Sequence, residues 1–186
     1  MNDSSFNSIW DNPAGFQQIA DASSATATKA LQARVLEEKA DVGLALDGDA
    51  DRLIMVDEKG QTVDGDQIMA LLATTLYQRG ELRGGGVVAT VMSNLGLERY
   101  LKNLGVGLER SSVGDRYVVE KMRSGNFNLG GEQSGHFFCA EDYFPFDDAL
   151  VAALRVLRIL ETSGRQLSAL CAEFPKTYQA PERRPY

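Results

Sequence analysis

The chain has 186 residues, of which 44% are hydrophobic and 24% charged, an ordinary composition for a globular protein. No apolar run approaches the roughly 20 residues that cross a bilayer, and residues 1–15 lack the pattern of a secretion signal, so we expect a cytoplasmic protein without a membrane partner. The net charge of −7, with no basic cluster before Arg183 and Arg184, argues against nucleic acid as a partner.

The first third of the chain predicts one helix followed by two short strands. Residues 1–25 are rich in Asn, Ser, Ala and Gln without a sustained period, which indicates a loop. Thr26 or Thr28 can cap a helix that runs to about Lys39. Residues 42–46 and 53–56 are apolar runs of strand length, and a hairpin turn signal follows them. The segment between the two strands is therefore expected to be a tight loop.

Helices and strands alternate through the rest of the chain. Asp64 is placed to cap an amphipathic helix that ends at Gly80, and a glycine-rich entry leads to a strand over residues 87–91. The later predicted elements are helices over 95–104 and 115–123, the second closed by Gly125, strands near 106–110 and 137–138, an aromatic turn over 143–146, a helix capped by Asp147 and a shorter last helix. This alternation predicts an α/β fold, a three-layer α/β sandwich with a mixed, largely parallel sheet.

Residues 47–52, Asp-Gly-Asp-Ala-Asp-Arg, form the loop between the first two predicted strands. At alternate positions of a sharply turning segment, the carboxylates of Asp47, Asp49 and Asp51 can converge on one point and hold a hard cation such as Mg²⁺. A solvated acidic turn is the alternative. A calcium EF-hand is rejected because Arg52 stands where that motif requires Gly, and because the flanking segments predict strands.

Residues 130–136, Gly-Gly-Glu-Gln-Ser-Gly-His, form a second motif. A carboxylate and a hydroxyl two residues apart, Glu132 and Ser134, suit the neighbouring hydroxyls of a sugar, whereas the alternative is a glycine-rich turn with a solvated Glu132. His136, the one histidine of the sequence, can exchange a proton near a transferring group or can lie hydrogen-bonded at the edge of the core.

Asp115 and Arg116 follow Gly114 at a predicted helix start. We predict that Asp115 is the N-terminal cap of this helix. Arg116 is a candidate for steering a phosphate, a role that its sequence position alone does not establish.

The two motifs together resemble the α-D-phosphohexomutases, and the resemblance extends from about residue 30 to about residue 182. Residues 63–66, 91–94 and 113–117 are most similar to the phosphoglucosamine mutase branch, whereas residues 142–148 and the Pro-Lys-Thr-Tyr tail resemble phosphomannomutase/phosphoglucomutase. The resemblance implies three segments: residues 1–61 as the end of the second family domain with the metal loop, 62–175 as the third domain with the sugar loop, and 176–186 as a linker towards a fourth.

The resemblance also implies a role for each motif residue. Mg²⁺ is held by the three aspartates together with a phosphoserine oxygen, and Arg52 clamps a phosphate, although a simple ion pair with the aspartates is its alternative. Glu132 and Ser134 bind sugar hydroxyls, and His136 acts near the transferring group. Arg52 and His136 are therefore the candidate catalytic residues of this chain.

The implied reaction interconverts glucosamine 6-phosphate and glucosamine 1-phosphate through a phosphoserine and a bisphosphate intermediate. The family's Thr-Ala-Ser-His-Asn-Pro nucleophile loop and its Arg-x-Ser-Gly-Thr-Glu phosphate loop do not occur in these residues. We therefore expect the chain to bind a hexose phosphate, to require the missing domains of the same enzyme, and to be inactive alone. The alternatives are phosphomannomutase or phosphoglucomutase activity, a non-catalytic module that binds magnesium and a sugar phosphate, and a phosphatase with an aspartate nucleophile.

Overall fold

The computed structural model describes residues 25–140 and 146–174. The predictions for residues 1–24, most of the aromatic turn and the tail beyond residue 174 lie outside this part. The described elements are α1 (Ala25–Glu38), β1 (Val42–Leu46), β2 (Leu53–Asp57), β3 (Thr62–Val63), α2 (Gly65–Gln78), β4 (Gly86–Thr90), α3 (Leu95–Leu104), β5 (Gly107–Ser111), α4 (Asp115–Gly125), β6 (Leu129–Gly131), β7 (Phe137–Cys139), β8 (Phe146–Asp147), α5 (Ala149–Ser163) and α6 (Leu167–Cys171).

The first sheet is a three-stranded antiparallel meander in the order β1-β2-β3. Leu46 pairs with Leu53 at the end of the β1–β2 hairpin, so the aspartate loop is the tip that joins these two strands. On one face, Leu31 and Val35 of α1 form a small buried cluster with Val56 of β2. The predicted tight loop between two strands is thus the end of an antiparallel hairpin.

The second sheet has five strands in the order β5-β4-β6-β7-β8. The β5-β4-β6 half is parallel, and β7 and β8 add to it in antiparallel fashion. Successive residues of β4 point to opposite faces: Val87 and Ala89 join the large core beneath α2, α3, α5 and α6, whereas Val88 meets α4 on the other face. Helices cover both faces, which confirms the predicted α/β sandwich with a mixed sheet.

Local capping signals set several of the helix boundaries. Asp64 accepts a hydrogen bond from the Gln67 backbone N–H at 3.0 Å, and the Gln67 side chain accepts one from the Asp64 N–H at 3.2 Å, which completes a capping box before α2. Asp148, one residue later than predicted, caps α5 by accepting from the Val151 N–H. Asn126, with φ of 56°, ends α4 in place of the predicted Gly125.

The two sheets share one hydrophobic core. Leu53, Met55 and Val63 of the first sheet are buried in the same cluster as Ile68 and Leu129, which belong to the elements around the second sheet. Among the helices that the structure describes, none has both the length and the apolar character that a membrane crossing requires.

Glu58 links the β2–β3 turn to the start of α6. Its carboxylate accepts a hydrogen bond from the Ser168 N–H at 3.2 Å and a second from the Ser168 hydroxyl. Burial acts to raise the pKa of Glu58, but the hydrogen bonds from Ser168 outweigh it and lower the pKa. The ionised carboxylate therefore stabilises the contact between the hairpin and the last helix.

We expect Glu58→Gln to lower the free energy of unfolding by about 1 kcal/mol at neutral pH, because a neutral amide accepts more weakly than a carboxylate. Since the folded-state pKa is depressed, this stabilisation is present above the pKa of the unfolded chain and is lost as the pH falls through the folded-state pKa. Urea unfolding at about pH 7 and about pH 3 measures both effects.

Glu37→Gln is the matched control, because Glu37 lies exposed in an ion pair with Arg34 and such pairs add little stability. An equal loss in both variants, or a loss that persists at acid pH, would contradict the role given to Glu58.

Candidate active site

The aspartate loop is closed by Asp47, whose side chain is buried beneath it. One oxygen of Asp47, Oδ1, accepts from the backbone N–H groups of Asp51 and Arg52, at 3.2 and 3.1 Å. The other, Oδ2, accepts from Nε of Arg52 at 2.5 Å. Ala50 adopts the left-handed conformation, with φ of 61°, at the turn of the loop. Asp47 thus fixes the loop from inside, and the Arg52 guanidinium balances its charge.

Asp47, Asp49 and Asp51 each offer a carboxylate oxygen, and these oxygens lie within 4.8 Å of one another. Oδ1 of Asp51 is buried and has no hydrogen-bond partner among the described residues. Burial and the Asp47 carboxylate raise the pKa of Asp51 against the opposing effect of His136. Burial also acts to raise the pKa of Asp47, but the hydrogen bonds from Arg52 lower it. Nε of Arg52 lies 3.8 Å from Oδ1 of Asp51, an ion pair without a hydrogen bond. Three converging carboxylates with one buried oxygen that accepts no hydrogen bond fit a hard divalent cation.

The second motif begins inside the sheet. Gly130 and Gly131, predicted as part of a loop, belong to β6. A Cβ atom at Gly130 would lie 2.6 Å from Sδ of Met122, and one at Gly131 would lie 2.6 Å from the carbonyl oxygen of His136. Both positions therefore need glycine for close packing, and the loop itself starts at Glu132.

Glu132 is 9% exposed, and each of its carboxylate oxygens has a donor. Oε1 accepts from the Gly114 N–H and Oε2 accepts from the Ser134 hydroxyl, both at 3.1 Å. These bonds fix the carboxylate and the hydroxyl side by side. The predicted Glu132–Ser134 pair is thus preformed.

The structure brings the two motifs together. Arg52 and His136 form an isolated antiparallel β-bridge, and the Leu53 N–H donates to the carbonyl oxygen of Gly135 at 3.0 Å. Nδ1 of His136 lies 3.8 Å from Oδ2 of Asp51. The residues of both motifs therefore line one continuous site at the carboxyl ends of the parallel strands.

Asp115 also lies in this site, and its predicted role as a helix cap is wrong. Gly114 is the cap residue, with φ of 119° and no side-chain cap bond. One carboxylate oxygen of Asp115 lies 3.9 Å from Nδ1 of His136. One oxygen of Asp115, one oxygen of Glu132 and one ring nitrogen of His136 all lie within 4.8 Å of one another. Arg116 turns away to Glu120 at 2.9 Å and does not join them.

The sequence model for the α/β/α domain III of phosphoglucomutase/phosphomannomutase matches residues 64–178, and the model for domain II matches residues 7–60. The chain belongs to the phosphoglucomutase/phosphomannomutase family. This membership confirms the resemblance that the two motifs indicated.

The curated relatives of this family member include phosphoglucosamine mutases. The one from Novosphingobium aromaticivorans is 66% identical over 141 residues, which cover 76% of this chain and 32% of the relative. The one from Erythrobacter litoralis is 56% identical over 161 residues, which cover 87% of this chain and 35% of the relative. The chain thus spans about a third of the length of these relatives.

Solved structures show the same fold. A phosphoglucomutase/phosphomannomutase family protein from Burkholderia thailandensis is 29% identical, with a TM-score of 0.78 over 86% of this chain and 34% of its own length. N-acetylphosphoglucosamine mutase of Aspergillus fumigatus, in complex with GlcNAc-6P and magnesium, is 22% identical, with a TM-score of 0.57 over 71% of this chain and 32% of its own. At that identity, the likeness concerns the fold alone.

We expect Asp49→Asn to weaken the binding of Mg²⁺ to this chain at least tenfold, because one of three converging carboxylates loses its charge. Isothermal titration with MgCl₂ measures the affinity. The matched control is Asp41→Asn, an exposed aspartate before β1 and outside the loop, which should bind Mg²⁺ as the wild type does. Equal affinities in the wild type and Asp49→Asn would exclude the loop as the cation site.

Gly65 at the start of α2 supports the loop that follows β6. Its N–H donates to the carbonyl oxygen of Gln133 at 3.2 Å, and a Cβ atom at Gly65 would lie 2.2 Å from the carbonyl oxygen of Glu132. Gly65→Ala is therefore expected to displace the loop and to speed hydrogen exchange at the amide of Gly135, which donates to Glu132.

Gly105→Ala is the matched control for this substitution. Gly105 has φ of 83° at the end of α3, so alanine costs about 1 kcal/mol there through backbone strain. Gly105 precedes β5 and so lies at the amino ends of the parallel strands, whereas the loop follows the carboxyl end of β6. Gly105→Ala should lower the stability of the protein without changing the hydrogen-exchange rate of the Gly135 amide relative to the amides around it. Unchanged loop exchange in Gly65→Ala would show that the contact does not position the loop.

Proposed function

We propose that this chain is the metal- and sugar-binding part of a phosphohexomutase that interconverts glucosamine 6-phosphate and glucosamine 1-phosphate. The observation that carries the proposal is the bridge between Arg52 and His136, which places the aspartate loop beside the Glu132 loop. The names of relatives at 66% and 56% identity favour glucosamine phosphate as the substrate.

In the proposed enzyme, Asp47, Asp49 and Asp51 bind Mg²⁺. A bound cation of this kind neutralises charge on the oxygens of a transferring phosphoryl group. The fit of the site supports this assignment, since three carboxylate oxygens converge and Oδ1 of Asp51 accepts no hydrogen bond from the described residues.

The remaining side chains orient the sugar phosphate. Glu132 and Ser134 bind neighbouring sugar hydroxyls, with the carboxylate already held by Gly114. Arg52 is about one-third exposed, so its guanidinium can pair with a substrate phosphate while Nε stays on Asp47. His136, between Asp51 and Asp115, exchanges a proton with the hydroxyl that gives or receives the phosphoryl group.

The rest of the polypeptide supplies the phosphoserine. Residues 1–61 form the end of the second domain, residues 62–175 the third domain, and residues 176–186 a linker towards a fourth, a division that the family matches over 7–60 and 64–178 support. We place the protein in the cytoplasm. The chain alone then binds the metal and the sugar but does not transfer phosphate.

A coupled assay for the conversion of glucosamine 6-phosphate to the 1-phosphate tests the proposal. It uses Mg²⁺ and a bisphosphate activator, on this chain and on a polypeptide extended at both ends to the length of the relatives. We expect turnover in the extended polypeptide only, and its loss when the extended polypeptide carries Asp49→Asn.

Other outcomes would change the assignment. Turnover in the short chain would mean that the chain carries its own nucleophile. Turnover in the extended polypeptide with mannose or glucose phosphates, and none with glucosamine phosphate, would overturn the substrate. Absence of turnover with all three sugars would favour a binding module.

A further inference from the structure

We infer that Asp115 selects an amino sugar by accepting a hydrogen bond from the protonated amino group at C2 of the substrate. This inference rests on the proposed function and names the residue that separates glucosamine phosphate from hexose phosphates that carry a hydroxyl at the same carbon. The role concerns specificity and involves no change in the covalent chemistry.

The position of Asp115 is fixed by the residue before it. The Gly114 N–H donates to Oε1 of Glu132, and the left-handed φ of Gly114 starts α4 at that point. An Asp115 oxygen consequently comes within 4.8 Å of a Glu132 oxygen and of a His136 nitrogen. A pyranose ring can bridge this separation, so a sugar bound by Glu132 presents another ring substituent to Asp115.

Asp115 retains free capacity to accept hydrogen bonds. Its side chain is 53% exposed, and within the described part of the chain its ion pair is with His136, at 3.9 Å, which is longer than a hydrogen bond. The neighbouring cation Arg116 pairs with Glu120 on the outer side of α4. Asp115 is therefore a carboxylate beside the sugar loop whose hydrogen-bonding capacity is available to a ligand.

The local charge favours an ammonium over a hydroxyl. Asp115 and Glu132 each place a carboxylate oxygen beside the ring of His136, outside the aspartate loop that binds the cation in the proposed function. Glucosamine 6-phosphate and glucose 6-phosphate differ at C2 alone, where one carries an ammonium at neutral pH and the other a hydroxyl. A charge-assisted hydrogen bond to a carboxylate is about twice as strong as a neutral one. Asp115 thus supplies a difference in binding free energy between two otherwise identical ligands.

NMR titration of the isotope-labelled chain in Mg²⁺ with glucosamine 6-phosphate and with glucose 6-phosphate tests the inference. The wild type should bind glucosamine 6-phosphate more tightly. Asp115→Asn should weaken that ligand about tenfold and leave the affinity for glucose 6-phosphate unchanged, so that the preference disappears. Asp115→Glu, which keeps the charge, should retain a preference.

Glu120→Gln is the matched control, because it removes one negative charge from the same helix on an exposed side chain away from the loop. It should leave the preference intact. Equal weakening of both ligands by Asp115→Asn would show a merely structural role and would overturn the inference while the proposed function stands. If neither sugar phosphate shifts the loop resonances of the wild type, the proposed function fails and the inference fails with it.

Discussion

The site depends on a backbone contact between the aspartate hairpin and the loop that follows β6. The Leu53 N–H donates to the carbonyl oxygen of Gly135, and Arg52 pairs with His136 next to it. Gly135 has φ of 106°, and a Cβ atom there would lie 2.5 Å from the Leu53 carbonyl oxygen, so only glycine allows this approach. The separation between the aspartate loop and the Glu132 loop is thereby set by the main chain, which is stiffer than a pair of side chains.

Electrostatics explain why this contact needs help from its surroundings. Asp47 carries its charge at low cost because two N–H groups and the Arg52 guanidinium surround it. Asp51 has no such set of donors, and burial raises its pKa. The cost of bringing the carboxylates together is therefore concentrated at Asp51, whose oxygen a cation would satisfy. A bound cation would relieve this cost, so the electrostatic repulsion between the carboxylates strengthens cation binding.

Sequence alone predicted the elements whose signals are local. The capping box at Asp64 and the three alternating aspartates depend on residues a few positions apart, and both were found in place. The position of Asp115 beside Glu132 depends on the parallel pairing of β5, β4 and β6, which brings the carboxyl ends of β5 and β6 to the same side of the sheet. No local pattern encodes that proximity, so the cap rule, which is local, gave the wrong answer. Gly130 was assigned to a loop for the same reason, because its strand conformation depends on pairing with Val88 of β4, which is far away in sequence.

The start of α2 fixes the conformation of the Glu132 loop, which follows β6. Asp66 is fully buried there, burial raises its pKa, and its Oδ2 accepts from the Asn94 N–H at 2.8 Å, which anchors the turn between β4 and α3. One residue earlier, Gly65 contacts the loop itself through Gln133. The loop therefore rests on a helix terminus that is itself bonded to the turn between β4 and α3. A loop preorganised in this way loses little conformational entropy when it binds a ligand.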